Sequence, residues 1–163
     1  HTWKTNFSWD CENIDDIKKK YNLEKYILLF PFCSIDLPHK KWPYFKALIE
    51  IIKNKHPEFE LVTAPNIDEI ILNKDLGTIG VLNQGKSLNI SQLAGLIKKS
   101  SFVIANDTGP AHMAAHLNAK GVTLFGQHTT AAKVSIERDN FKAIQVSDLS
   151  KLSAGKVMEK ILI

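Results

Sequence analysis

The stretch SSFVIANDTGPAHMAAHL, residues 100–117, contains a strand, a polar turn and a helix in direct succession. The apolar run Phe102 to Ala105 predicts a buried strand, and the cluster Asn106 to Pro110 predicts a turn. The Ala-rich segment Ala111 to Leu117 predicts a helix. In this order the free N–H groups of the helix start lie at the carboxyl edge of a sheet, where they attract anions and above all phosphate. We therefore expect the chain to bind a phosphorylated ligand.

The same alternation of strands and helices runs along most of the chain. Predicted strands cover residues 26–30, 59–63, 78–82, 102–105, 121–125 and 141–146. Predicted helices cover residues 13–21, 43–55, 66–72, 90–99, 111–117 and 150–162, with a helical turn at 130–136. This pattern predicts an α/β fold with a doubly wound, mostly parallel, six-stranded Rossmann-like sheet. We predict a connector with a short helix over residues 1–24 and the Rossmann-like domain over residues 25–163.

Composition limits the classes of function. The 163 residues are 44% hydrophobic and 23% charged, which is ordinary for one globular domain. The net charge is +4, but the lysines are scattered and Arg138 is the only arginine, so no nucleic-acid partner is expected. Cys11 and Cys33 fit no disulfide framework or metal pattern, which favours a reducing compartment. No segment has the length of a membrane span, and the start at His1 leads us to expect a fragment of a longer protein.

The turn after the fourth predicted strand is the first candidate site. The chain has neither G-x-G-x-x-G nor G-x-x-x-x-G-K-[ST], so a dinucleotide oxidoreductase and a P-loop nucleotidase are disfavoured. Thr108 and Gly109 can present N–H groups and a hydroxyl to a phosphate, and the glycine allows a ligand to approach the backbone closely. Alternatively, Asp107 or Thr108 only caps the helix, which is worth on the order of 1 kcal/mol.

Two histidines follow on the predicted helix. His112 and His116 are four residues apart, but a zinc site needs further ligands, and H-E-x-x-H requires a glutamate where Met113 stands. No metal is therefore expected. His112, in the first turn, can face the ligand, whereas His116 is expected to be structural.

Candidate residues also follow the other predicted strands. Ser34 and Lys40 lie in the loop after the first strand and can grip a phosphate, although a solvated loop lysine is the alternative. Asp68 and Glu69 follow the second strand. They either accept hydrogen bonds from ribose hydroxyls or only complement the charge of a helix start, and both interpretations stay open. The segment Gly85 to Leu88, which includes Lys86, follows the third strand, and we expect it to line the nucleoside pocket.

Four motifs taken together point to a known family. They are KKWP at residues 40–43, GKSL at 85–88, NDTGPAHMAA at 106–115 and LFG at 124–126. In this order they resemble the C-terminal half of the family 9 glycosyltransferases, the ADP-heptose:lipopolysaccharide heptosyltransferases, over roughly residues 26–146. The D-T-G-x-x-H element between a strand and a helix is the specific part of the resemblance, and K-x-W-P supports it.

The resemblance implies one half of the two-domain GT-B fold. In that fold the N-terminal domain holds the acceptor and the catalytic base, and the C-terminal domain holds the nucleotide sugar. This chain would then be the donor-binding domain of an inverting glycosyltransferase that needs no metal or other cofactor, and it would be inactive alone. By the same resemblance, the residues that contact the donor would be Lys40 and Thr108 with Gly109 at the phosphates, His112 beside them, Asp107 at the sugar and Asp68 or Glu69 at the ribose.

The expected partners follow from the same family. The donor would be ADP-heptose or a similar nucleotide sugar, and the acceptor would be lipopolysaccharide-like and held by the other domain. A cytoplasmic location is expected, with peripheral contact to the inner membrane as a further expectation. Two alternatives stay open: half of a related nucleotide-sugar epimerase, or a non-catalytic nucleotide-binding module.

The sequence departs from the family pattern in three places. Phe32 stands where the family often has glycine, and Ile35 with Asp36 stand where threonines would touch phosphate. After Gly126 the chain reads Gln-His-Thr, where the family tends to Pro-Thr. These departures bear on the identity of the sugar more than on the nucleotide-sugar domain.

Overall fold

The computed structural model describes residues 13–32, 41–126 and 136–161. Its centre is one sheet made of β1 (Tyr26–Phe30), β2 (Glu60–Thr63), β3 (Ile79–Gly80), β4 (Phe102–Asn106), β5 (Gly121–Phe125) and β6 (Phe141–Gln145). The strand order is β3-β2-β1-β4-β5-β6, and each pairing among these described strands is parallel. The predicted six-stranded Rossmann-like α/β fold is therefore confirmed.

Helices cover both faces of the sheet. In chain order they are α1 (Asp15–Tyr21), α2 (Phe45–Lys55), α3 (Ile70–Leu76), α4 (Ile90–Lys99), α5 (Gly109–His116) and α6 (Ala154–Met158). Apolar residues of α1, α4 and α5 share one core cluster, and those of α2, α3 and α6 share the other. Because Ile14 and Ile17 are buried in the first cluster, the segment around α1 packs on the domain. The predicted domain boundary at residue 24 stays a prediction.

Alternation of side chains along the strands produces the two core layers. In β1, Ile27 and Leu29 face the layer of α2, whereas Leu28 and Tyr26 face the layer of α4 and α5. Full burial of an aliphatic side chain of this size contributes about 1.5–3 kcal/mol. The Tyr26 hydroxyl donates a hydrogen bond to the carbonyl of Leu96 at 2.5 Å, and burial raises the pKa of this phenol. The central strands are thus fixed from both sides.

Apart from the last predicted helix, four helices begin or end away from the predicted residues. Helices α1 and α2 each begin two residues later than predicted. The helix predicted over 66–72 is a 3₁₀ turn at Ile67–Glu69 followed by α3, which continues until Gly77 adopts the left-handed conformation, φ 74°. Helix α5 begins at Gly109 rather than Ala111, so Pro110 lies in its first turn, where a missing N–H costs nothing.

The prediction of one helix over residues 150–162 is wrong in its extent. Within the described residues this segment is a 3₁₀ turn, Leu149–Lys151, followed by the short helix α6. The Asp148 carboxylate accepts hydrogen bonds from the N–H and hydroxyl of Ser150, which cap the start of the turn and lower the pKa of Asp148. The backbone is extended at Leu152 and Ser153, and this separates the turn from the helix. Ser153 then caps α6 through the N–H of Lys156.

The predicted helical turn at 130–136 lies outside the described residues except for Ile136. None of the described helices is long and apolar enough to cross a membrane.

Candidate functional site

The strand order reverses direction between β1 and β4, and this point positions the candidate site. In open parallel sheets, ligands bind in the crevice at the carboxyl ends of the strands beside such a reversal. A pocket of about 310 Å³ lies there. Its walls come from the ends of β1 and β4 and from the segments after β2 and β3, and they include Pro31, Phe32, Asn66, Glu69, Ser87 and Thr108. The fold alone therefore gathers four separate segments around one cavity.

The start of α5 forms one wall of this pocket. Thr108 precedes the helix in an extended conformation, φ −143° and ψ 168°, but its side chain makes no capping hydrogen bond. Instead, the Thr108 hydroxyl donates to the carbonyl of Asn106 at 3.3 Å. The Thr108 side chain therefore does not cap α5.

Gly109 leaves open space at the same helix end. A Cβ placed on this exposed residue would meet nothing within 4 Å, so no described part of the protein requires a glycine there for packing. Within the described part of the chain, the Gly109 N–H also has no backbone acceptor. The N–H groups of Ala111 and His112 donate to the Thr108 carbonyl, so the Gly109 N–H is the open donor at this helix start. An open N–H at a helix start beside a cavity can bind an anion.

Asp107 and His112 lie together beside the helix start. The His112 Nε2 atom is 3.9 Å from an Asp107 carboxylate oxygen, and the Asp107 side chain is 7% exposed while that of His112 is 38% exposed. The structure thus brings the two predicted residues to one place, with the histidine nearer to solvent. His116, one turn further, contacts Arg138 instead, with 3.4 Å between His116 Nδ1 and a guanidinium nitrogen. No cluster of three or more side chains able to hold a metal occurs among the described residues.

The residues after β2 divide between pocket and surface. Glu69 lines the pocket, and one of its carboxylate oxygens accepts the Asn66 N–H at 2.8 Å. Glu69 thus supports the local turn and faces the cavity at once. Asp68 is exposed and is not among the lining residues. Of the two predicted ribose contacts, the geometry favours Glu69.

The segment after β3 forms a tight hairpin. Gln84 and Gly85 both have positive φ, 52° and 78°, and Asn83 and Lys86 are paired in antiparallel fashion across them. Two central residues with positive φ define a type I′ turn, so Gly85 serves the turn. Lys86 is exposed and does not line the pocket, whereas the next residue, Ser87, does.

Two predicted phosphate contacts, Ser34 and Lys40, lie outside the described residues. A further residue at the site has no counterpart in the sequence predictions. Asn106, at the end of β4, is completely buried and hydrogen-bonded to the segments on both sides of residues 33–40. Its only signal in the sequence is a polar residue that directly follows an apolar strand.

The chain matches the family model for glycosyltransferase family 9 (heptosyltransferase) over residues 2–161. The chain belongs to glycosyltransferase family 9. No curated protein matches it significantly in sequence.

Solved structures show the same fold at low identity. The family 9 glycosyltransferase from Veillonella parvula matches with a TM-score of 0.74 and 16% identity, over 98% of this chain and 50% of that chain. The E. coli heptosyltransferase WaaC with ADP-2-deoxy-2-fluoro heptose matches with a TM-score of 0.69 and 18% identity, over 96% of this chain and 46% of that one. A UDP-GlcNAc 2-epimerase from Methanocaldococcus jannaschii matches with a TM-score of 0.59 and 14% identity, over 91% and 42%.

These matches establish the fold and the extent of the similarity. The chain spans about half the length of these three solved relatives, between 42% and 50%. The same half-length fold thus occurs in heptosyltransferases and in an epimerase. Membership of family 9 supports a glycosyltransferase over an epimerase.

Proposed function

We propose that the chain is the donor-binding half of an inverting heptosyltransferase, which transfers heptose from ADP-heptose to a lipopolysaccharide-type acceptor. The observation that carries this proposal is the open start of α5 at the pocket, with no described atom within 4 Å of a Cβ placed on Gly109. Family membership supports the reaction type. Two solved relatives, E. coli WaaC with ADP and WaaC with ADP-2-deoxy-2-fluoro heptose, support the class of donor.

The proposed chemistry is a direct displacement at the anomeric carbon. The acceptor hydroxyl oxygen forms the new bond as the bond between the anomeric carbon and the diphosphate oxygen breaks, and ADP leaves with that electron pair. The acceptor proton goes to a base that we place in the other domain of the protein. The contribution of this chain is to stabilise the charge on the leaving diphosphate with the start of α5, an arrangement that needs no reorganisation during the reaction.

The predicted contacts, apart from Asp68 and Lys86, have a place in this proposal. Thr108 and Gly109 hold the phosphates, His112 lies beside them, and Asp107 accepts hydrogen bonds from the sugar hydroxyls. Glu69 is the better placed of the two ribose candidates because it lines the pocket. Lys40 and Ser34 are assigned to the diphosphate by the family resemblance alone.

The location and acceptor follow from the reaction proposed. An enzyme that uses a nucleotide sugar and a lipopolysaccharide-type acceptor works at the cytoplasmic face of the inner membrane, so we propose peripheral contact there. The acceptor itself is held by the domain that faces this pocket across the cleft.

Calorimetric titration of the 163-residue chain with ADP tests the proposal. We expect weak binding that persists in excess chelator, and weaker binding of adenosine because it lacks the diphosphate. Failure of both ADP and an ADP-sugar to bind would contradict the proposal, and loss of all ADP binding on chelation would contradict its metal-free form. For the whole protein, a product formed from nucleotide sugar without acceptor would indicate epimerisation instead of transfer.

A further inference from the structure

The Asn106 side chain connects β1 and β4, the two strands that flank the pocket, beyond the last pair of residues in the sheet. The last parallel pair between β1 and β4 is Phe30 with Ala105. The next residue of the first strand, Pro31, has no N–H and cannot extend the ladder as a donor. The Asn106 side chain bridges this position, since its Nδ2 donates to the Pro31 carbonyl at 2.7 Å.

The amide oxygen of the same side chain binds the segment that directly precedes α2. The Asn106 Oδ1 accepts the backbone N–H of Trp42 at 3.0 Å. Trp42 is itself fixed, because its indole N–H donates to the Leu152 carbonyl at 2.7 Å and its ring packs edge-on against Phe45. One amide group thus connects the end of β1, the segment before α2 and the end of β4.

These connections reach the walls of the pocket directly. Pro31 is a pocket residue, and Thr108, which also lines the pocket, donates its hydroxyl to the backbone carbonyl of Asn106. Asn106 is completely buried, so its own atoms are not available to a ligand. The remaining residues of β4, Phe102 to Ala105, are apolar, so burial alone gives no reason for an amide at this place.

We propose that Asn106 is a positioning residue for donor binding, which holds Pro31 and Thr108 at the separation that the diphosphate requires. This inference rests on the proposed function. A neutral amide suits the role because it offers a donor and an acceptor on adjacent atoms, and both partners are buried groups that need them. Residues that hold a binding site in its bound geometry raise affinity by reducing the ordering needed on binding.

The first test compares two buried asparagines in the 163-residue chain. Asn106→Ala should weaken ADP binding of the folded molecules about tenfold. Removing a residue that only orients the direct contacts of a bound metal has an effect of this size. Asn73→Ala is the matched control, because Asn73 is also buried and hydrogen-bonded, to Thr63 and Thr78, but lies on α3 and does not line the pocket. It should lower stability while leaving ADP affinity within about twofold of wild type. Equal affinity in the two variants would overturn the inference.

The second test restores the hydrogen bonds by protonation. In Asn106→Asp a neutral carboxyl can donate to the Pro31 carbonyl and accept from the Trp42 N–H, whereas a carboxylate cannot donate. Burial raises the pKa of such a group. The ratio of the variant dissociation constant to that of wild type should therefore be lower at about pH 5.5, where the carboxyl is protonated, than at about pH 8. The ratio is the readout because Asp107, His112 and ADP are the same in both measurements, so any effect of pH through them cancels.

The outcomes separate the inference from the proposed function. If wild type binds no ADP under any condition, the proposed function fails. If wild type binds ADP but the Asn106→Asp ratio is the same at both pH values, the positioning role fails, and this holds even where Asn106→Ala does not fold.

Discussion

Replacement of Gly109 by alanine should separate binding from folding. Gly109 is exposed at the first residue of α5, and a Cβ there meets nothing within 4 Å. Its φ is not in the left-handed region, so alanine adopts the same backbone without strain. Alanine also lowers the conformational entropy of the unfolded chain relative to glycine. We therefore expect Gly109→Ala to raise the free energy of unfolding by about 0.4–1 kcal/mol.

The same methyl group should weaken donor binding. A phosphate that lies directly against the Gly109 backbone, as the proposal requires, would meet the added methyl group and be pushed away from the Gly109 N–H. A hydrogen bond to a charged group is worth about 1.5–3 kcal/mol, so its loss should reduce ADP affinity about tenfold to a hundredfold. Binding and stability are thus expected to change in opposite directions.

Calorimetry with ADP and denaturant unfolding measure the two effects. Gly155→Ala is the matched control, because Gly155 is also exposed near a helix start and its Cβ would approach only the Ser153 hydroxyl, at 4.0 Å. This control should gain similar stability and keep wild-type affinity. The reasoning is refuted if Gly109→Ala binds ADP within about twofold of wild type, since the phosphates could then not lie directly against the Gly109 backbone.

Four further substitutions test the fold and the remaining site residues. Gly121→Ala should lower the free energy of unfolding by about 1–3 kcal/mol, because its Cβ would lie 2.5 Å from the Val103 carbonyl oxygen; thermal unfolding measures this. Thr123→Val should raise stability, since the buried Thr123 hydroxyl has no hydrogen-bond partner in the described part of the chain; a fall in the unfolding midpoint would contradict this. Lys40→Ala should reduce ADP affinity about tenfold to a hundredfold and make the remaining binding less salt-dependent, with little change in unfolding. Asp107→Asn should leave ADP affinity unchanged and lower only the affinity for the intact nucleotide sugar. If the variant unfolds while its folded fraction binds the nucleotide sugar as wild type does, the role of Asp107 is structural.

The periodic parts of the sequence predicted the fold well. The strands of residues 26–30 and 121–125 and the helix of residues 90–99 agree with the structure residue for residue. Each has clear boundaries, such as the Asn89 and Gln92 side chains that bond to each other's backbone N–H groups at the start of α4. Where a boundary depends on one side-chain hydrogen bond, as at Asp148, hydrophobic periodicity carries no information about it.

The site was predicted by segment more than by residue. The chain order of strands placed the segments after residues 30, 63, 82, 105 and 125 at one edge. The pocket is lined from the first four, and residues 127–135 of the fifth lie outside the described residues. Which side chain of a segment faces inward depends on turn geometry. The positive φ values of Gln84 and Gly85 turn Ser87 toward the cavity and leave Lys86 on the surface. Asn106 was missed because its partners, Pro31 and Trp42, are more than 60 residues away in sequence.

The charge of the pocket indicates what the rest of the site must supply. The described lining residues include the carboxylate of Glu69 and no lysine or arginine, although the proposed ligand carries several negative charges. A helix start provides only about half a positive charge. A cation from elsewhere must therefore contribute, and Lys40 is the candidate within this chain. If Lys40 is that cation, raising salt should weaken wild-type ADP binding clearly and Lys40→Ala binding much less. If both weaken equally, the missing charge belongs to another residue, and the assignment of Lys40 by family resemblance is wrong.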